Sequence, residues 1–468
     1  MRLYKKNTII KLIIGIISSS IFLILFINKN SIESGYKNIY LLPIAFLLTF
    51  YWGIGQLVFI KNTIGVKIIF ITEILRYLIL PFLIFKTSYY TGMGYNPNPK
   101  YIEIAIYLMV YEIFLVNLLA MIFKISSKNK FGLKNIVNYK NNDRIEKITC
   151  LFLILTILLL ILKPNSISDI NFILLKKNVE VSNDFITTLT RILFIISKNL
   201  IYLLCTIKLS EKYKKSKKIR FLNLGYLITF LNISIYLNDN RANLLMFGVA
   251  SLFVLINVFP EYKERTVKFI IISILFLIII VTLTKNFGVE LNNLGNNKSI
   301  DLQKITKTLQ AYVAGPRNIA QSIEMGNIYN GYINLKMLIS DLFRSFLGLS
   351  KLVSSISYYS TVNLFNIYIY GSSISKDQII PILGQGYVYF NMFLSPLFLL
   401  IFNYISMNID LKLSNEQNLI NIYFYTLLSC ATGLASIYNL NIEIQLITIT
   451  ILPTFLILLV NRKFVLKR

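Results

Sequence analysis

The sequence predicts an all-α polytopic membrane protein, and three observations carry that reading. Hydrophobic residues make up 55% of the 468 positions and charged residues 15%, against about 25% charged in a soluble domain. Ile/Leu/Phe runs recur at lengths near the ~20 residues a helix needs to cross ~30 Å of hydrocarbon. Those runs lack the strict alternation of a barrel strand, and only helices or closed barrels satisfy their own backbone in lipid.

Apolar runs fall at 9–28, 39–60, 64–85, 102–123, 148–162, 185–207, 221–237, 242–259, 269–284, 387–405, 419–437 and 443–460. They predict about 12 transmembrane helices. The run 148–162 is short and the turn between 237 and 242 is tight, so either also fits a re-entrant pair. The organisation is nine helices over 1–284, a long loop over 285–385, and three helices with a basic tail over 386–468.

Charge sets the orientation. The net charge of +27 lies in short runs between apolar segments, so it reads as topology-setting charge beside an anionic leaflet and not as a nucleic-acid surface. Lys124–Lys147, Lys208–Arg220, Pro260–Lys268 and Arg462–Arg468 fall on one side. That side is the cytoplasm by the positive-inside rule, which puts both termini inside and the long loop outside. No small-residue cleavage site follows the first run, so it reads as a retained anchor.

Absences narrow the chemistry. There is no histidine, so imidazole acid/base chemistry and histidine-ligated metals are excluded. Cys150, Cys205 and Cys430 are far apart, without metal or redox spacing. No Walker motif appears, so no nucleotide energy source is expected. The loop Lys29–Asn38 holds only Glu33 where metal-dependent transferases of lipid-linked sugars carry paired acids. No cofactor and no metal is expected.

A loop as long as 285–385 is expected to fold and to be functional. In 300–313, Leu302, Ile305, Leu309 and Tyr312 share a helical face. In 333–353, Leu335, Leu338, Leu342, Phe346 and Leu349 form an apolar stripe, with Lys336, Ser340, Arg344 and Lys351 opposite. Both suit helices lying in the membrane interface, or helices packed on the bundle.

Four clusters are suited to binding a diphosphate and a sugar. Asp239 and Arg241 sit in the tight turn Leu237–Leu245, where the arginine either snorkels or offers forked donors to phosphate. Gly315-Pro316 ends one helix and places Arg317 at the start of the next. Arg191 and Lys198 lie seven residues apart on one face of a span, beside Asn199. They either bind an anion inside the bundle or pair with Glu73, Glu103, Glu112 or Glu443. Glu73 and Arg76 have the spacing to pair with each other. Gly384-Gln385-Gly386-Tyr387-Val388-Tyr389-Phe390-Asn391 leads into a late span. Its Tyr387 and Tyr389, like Tyr312, Tyr358, Tyr359, Tyr368 and Tyr370, suit either an interface belt or sugar stacking.

Three passages in order resemble the Wzy-type oligosaccharide repeat-unit polymerases of bacterial O-antigen and capsule synthesis. They are Asn232–Leu255 with Arg241, Tyr312–Arg317 within a long loop, and Gly384–Met392. Together they cover roughly residues 225–410. The sequence departs from the family's Arg-x10-Gly pattern, because Arg317 reaches Gly326 and Arg241 reaches Gly248 after fewer residues. The resemblance implies metal-independent transfer of a glycan from a polyprenyl diphosphate to a lipid-linked repeat unit, in the cytoplasmic membrane. A chain-length regulator and a flippase would share the pathway. Arg241 and Arg317 would stabilise the leaving diphosphate and Asp239 would act as base, with Glu324, Asp301 and Asp341 as other carboxylates. Arg191, Lys198, Arg344, Tyr312, Tyr387 and Tyr389 would bind substrate. A ligase acting on finished glycan, a flippase or other transporter, and a structural subunit are the alternatives. The lack of histidine counts against the ligase, and the long loop and lack of internal repeats count against the transporter.

Overall fold

The computed structural model describes residues 2–60, 63–90, 94–127, 142–164, 166, 170–172, 185–237, 241–286, 302–346, 349, 353, 359–371 and 378–466. In chain order come α1 (Arg2–Ile27), α2 (Leu41–Phe50), α3 (Ile64–Ile74), α4 (Leu80–Thr87) and α5 (Pro99–Ser126). Next are α6 (Asn142–Leu162), β1 (Ile170–Phe172), α7 (Phe185–Ser216), α8 (Arg220–Ser234), β2 (Ile235–Leu237), α9 (Arg241–Val258) and α10 (Lys263–Asn286). The long loop contributes α11 (Leu302–Tyr312), α12 (Pro316–Ile328), α13 (Leu335–Arg344) and α14 (Thr361–Tyr370). The chain continues with α15 (Ile382–Leu394), α16 (Leu397–Ser414), α17 (Leu419–Gly433), α18 (Leu440–Gln445) and α19 (Leu452–Leu466).

This is a multi-pass helical membrane protein. Among the described residues, 8 helical segments are long and apolar enough to cross a membrane, from Asn7–Ile27 to Leu440–Asn461. Their outer faces are greasy: Ile16 is 65% exposed and Ile161 69%, which suits lipid and not water. The twelve expected runs do not become twelve long helices. The run at 39–60 yields the 10-residue α2 and then turns. The run at 221–237 ends in β2, whose Ile235 pairs antiparallel with Phe172 of β1. The run at 387–405 is broken at Asn391, whose φ of 58° and ψ of −163° are non-helical, so α15 kinks there before α16 begins. The short run at 148–162, by contrast, extends N-terminally to a full helix, Asn142–Leu162.

The chain forms two compact units. Met1–Leu133, Lys298–Ser414 and Ser429–Leu446 make the first, and Lys134–Asn297, Asn415–Leu428 and Ile447–Arg468 the second. In the second, α6 to α10 pack as sequence neighbours around a neutral polar centre. There Tyr423 donates to Asn199 Oδ1 at 3.1 Å, and Asn232 donates to Ser251 at 3.1 Å.

In the first unit, α12 is the organising element. It is polar yet buried from Pro316 to Gly326, and it packs against α5, α14 and α15. Close approach to α15 needs small residues, since a Cβ on Gly384 would lie 2.4 Å from the Ser322 side chain. One apolar cluster joins these helices: Met325, Met337, Leu364, Phe365, Ile369 and Ile380.

The two amphipathic stretches do form helices, α11 and α13, but with polar residues inward. On α11 the buried residues are Thr306 and Gln310, while Leu302 is 41% exposed. On α13 they are Met337, Ser340 and Asp341, while Leu335 is 69% exposed. An apolar stripe facing away from the protein beside a buried polar face is the arrangement of a helix lying against lipid. The stripe of α13 also stops early, at the Ser345 cap.

Candidate functional site

The inward face of α13 creates the most unusual polar centre of the first unit. Asn334 caps the helix by accepting from the Met337 amide at 3.0 Å. That start fixes the register so that Asp341 is fully buried. Its Oδ2 accepts from the Thr361 amide at 3.1 Å, the Thr361 hydroxyl, Tyr389 OH at 2.7 Å and Gln385 Nε2 at 3.3 Å. Its Oδ1 has no partner. The Thr361 amide is the first of α14, where free N–H groups and the helix dipole favour a negative charge.

Gln385 ties three elements to this carboxylate. It donates to Thr361 Oγ1 at 2.8 Å and Asn441 Oδ1 at 3.3 Å, and accepts from the Leu440 amide at 2.9 Å. Asn441 in turn donates to the Asp341 carbonyl at 2.9 Å. The glycines flanking Gln385 are required by packing. A Cβ on Gly386 would lie 2.0 Å from the Ser395 carbonyl oxygen. Tyr389 also packs against the apolar cluster, and Arg344, half-buried three residues after Asp341, acts electrostatically on its hydroxyl. A buried carboxylate held through one oxygen and unpaired at the other has a lone pair left to take a proton from a hydroxyl brought against it.

Arg317 occupies a different place. It is the second residue of α12, as its Gly-Pro context indicated, but it is 1% exposed. It donates to the Gly94 carbonyl at 3.2 Å, the Tyr95 carbonyl at 2.9 Å and Asn96 Oδ1 at 2.8 Å. Gln321 donates to the Tyr95 carbonyl at 2.7 Å, and Glu324 accepts from the Asn98 amide at 2.9 Å and Tyr368 OH at 2.8 Å. Residues four and seven positions along a helix share a face. Arg317, Gln321 and Glu324 thus clamp the segment 94–98 while the other face of α12 meets α15. Gly94 sits at φ +70°, and a Cβ there would lie 2.2 Å from Ile369. Burial pushes the Arg317 guanidinium below its usual value, and burial with the Glu324 contact pushes the Tyr368 phenol up.

Arg191, Lys198 and Arg241 belong to the second unit. Lys198 donates to the Ile235 carbonyl at 2.5 Å, at the end of α8, and lies 3.7 Å over the Phe247 ring. Asn199 is engaged by Tyr423 and Thr454. Arg191 is half-buried on the same helix. Arg241 begins α9, while its side chain, the turn with Asp239, Asp301 and Tyr358 lie outside the described residues. Tyr312 is 54% exposed and Tyr387 half-buried. One pairing is corrected: Arg76 bonds Glu112 at 2.5 and 3.0 Å, not Glu73. Arg76 lies within the π-helical turn Leu75–Ile79, where the regular i,i+3 relation to Glu73 no longer holds.

No family model matches the sequence, and neither a curated protein nor a solved structure matches it. Among the described residues no group of three His, Cys, Asp or Glu is placed to hold a metal ion. Thr361 and Asn441 escaped the sequence reading, and Gln385 entered it only as part of the passage Gly384–Asn391. The one signal for them was the Gly-Gln-Gly triplet, which marks a helix packed too closely for a Cβ.

Proposed function

We propose that the chain polymerises polyprenyl-diphosphate-linked oligosaccharide repeat units at the outer face of a bacterial cytoplasmic membrane. In this reading Asp341 is the general base. The observation that carries it is the Asp341 carboxylate, buried and unpaired at Oδ1 and held at Oδ2 by Tyr389 and Gln385 of the family-like passage Gly384–Met392. The ordered set of three sequence passages supports the substrate class. Asp341 lies in the long loop that the charge pattern assigns to the outside, where lipid-linked units would be delivered.

The step balances without a metal. An acceptor hydroxyl attacks the reducing-end carbon of the donor glycan, the bond to the lipid diphosphate breaks, and Asp341 takes the hydroxyl proton. Negative charge develops on the leaving diphosphate, which calls for cations. Arg344, three residues after Asp341 in the first unit, is assigned that role. Arg317, whose donors go to the 94–98 segment, is a positioning residue.

The test is reconstitution of the full chain in vesicles with a lipid-linked repeat unit, with products read as a ladder on a gel. Wild type should build long chains. Asp341→Asn should lose about 10²- to 10⁴-fold in chain formation, the usual worth of a general base. An unchanged ladder from Asp341→Asn sinks the assignment of the base. No ladder from wild type across several acceptor sugars sinks the polymerase reading. A deletion strain should accumulate single units, whereas accumulation of full-length lipid-linked polymer would point to a ligase.

A further inference from the structure

A second polar centre lies deep in the first unit, within the spans. Glu73, Arg76, Tyr77, Glu112, Thr72, Asn403 and Ser436 line a small cavity of about 10 Å³, room for one water-sized body. Arg76 and Glu112 face each other as a two-bond pair, and Tyr77 OH adds a third bond to Glu112 at 3.1 Å. Glu73 is left over. Its Oε1 accepts from Asn117 at 3.3 Å, and its Oε2 has no partner although the residue is 5% exposed.

Two features make this more than a stray carboxylate. The first is charge. With both carboxylates ionised, one guanidinium leaves one negative charge uncompensated among spans, which is costly in lipid. The second is a convergent set of unmet oxygens. Asn403 Oδ1 and Ser436 Oγ line the same cavity, are 2% and 8% exposed by residue, and have no partner. Carboxylate, amide and hydroxyl oxygens are the ligands of a hard cation. The π-helical turn at Leu75–Ile79 brings consecutive residues Arg76 and Tyr77 inward together, which keeps the arginine on Glu112 and off Glu73. Such turns often mark functional sites.

We infer that this cavity binds one sodium ion, held by Glu73 Oε2, Asn403 Oδ1 and Ser436 Oγ. The ion supplies the missing positive charge and fills the unmet oxygens together. This assignment is independent of the polymerase reading.

The experiment is thermal unfolding of the purified full chain at about pH 8.5, well above the usual carboxylate range. NaCl is titrated against choline chloride at constant ionic strength. The unfolding midpoint should rise and saturate with sodium, and potassium should act more weakly. Glu73→Gln should abolish the sodium response while unfolding in choline at or above the wild-type midpoint, because it removes the excess charge. Asn403→Ala should fold and need about tenfold more sodium for half the effect, about 1.4 kcal/mol in binding. A midpoint that ignores sodium overturns the proposal, as does an equal response in wild type and Glu73→Gln. A midpoint that follows pH and not sodium makes a proton the occupant and also overturns it.

Discussion

Asp341 and Asp410 are both fully buried carboxylates of the first unit, and they are bonded in opposite ways. Asp410, on α16, is saturated at both oxygens. Its Oδ1 accepts from the Ile64 and Gly65 amides at 3.1 Å each and from Ser429 Oγ at 2.5 Å, and its Oδ2 accepts from the Val66 amide at 3.0 Å. It caps the start of α3 from a distant helix, meeting donors that a helix N-terminus leaves unsatisfied. Asp341 collects its donors on Oδ2 alone and leaves Oδ1 unpaired. Asp410 spends both oxygens on holding the start of α3 and Ser429, so its work is structural. A carboxylate that is rigidly held and unpaired at one oxygen is arranged for chemistry.

The largest effect that sharpens this contrast is on stability at Asp410. Asp410→Asn replaces an all-acceptor group with one that presents an N–H₂ to amide donors. Breaking a buried charged network by removing one partner costs about 3–5 kcal/mol. The full chain in detergent should unfold far earlier on heating, and expression of folded protein should drop. Gly65→Ala should act in the same direction, since its Cβ would lie 1.8 Å from Ser406 Oγ and 2.6 Å from Ser429 Oγ. An Asp410→Asn protein with wild-type stability would break the comparison at its structural end.

Asp341→Asn should reverse the pattern. Chain formation collapses as described above, while the loss of stability stays near 1–2 kcal/mol, because the amide oxygen can still accept from Thr361 and Tyr389. The comparison fails if Asp341→Asn unfolds as readily as Asp410→Asn, for then both aspartates are struts. A smaller, second-hand loss is expected from Gly386→Ala. Pushing α15 off the Ser395 carbonyl displaces Gln385 from Asp341, at about 1–3 kcal/mol for overpacking. Activity should fall more than stability alone accounts for.

The contrast also shows what the sequence could convey. Helix content and membrane residence were legible because apolar runs are local and long. The location of α11, α12 and α13 was legible from i,i+3,i+4 spacing and Gly315-Pro316. Which face of α13 turns inward was not. The stripe Leu335, Leu338, Leu342 has the pattern of a core face, and hydropathy alone does not say whether protein or lipid covers it. Asp341 was therefore one acid among several, and its partners Thr361, Gln385 and Asn441 come from 20 to 100 positions away. The role of Arg317 was hidden for the same reason, since its acceptors lie more than 220 residues earlier. The run at 387–405 breaks at Asn391, which takes a left-handed φ, and continuous hydropathy masked that break.

A third carboxylate in the second unit, Glu261, completes the scale at its weak end. It meets Lys217 at 2.5 Å, with both side chains more than half exposed, and accepts from Tyr213 at 2.5 Å. Those contacts hold its carboxyl below the usual range, Lys217 first and Tyr213 second. A depressed folded-state pKa contributes stability above the unfolded value, and that contribution is lost as pH falls through the folded value. At full exposure water and salt screen the pair, and such pairs contribute little that is measurable. Glu261→Gln should therefore leave the unfolding midpoint unchanged at neutral pH, and the wild-type and variant curves should remain superimposed in high salt. A clear drop would mean that bond geometry outweighs burial in setting what a carboxylate does here, and the ordering of Asp410, Asp341 and Glu261 would need a different cause.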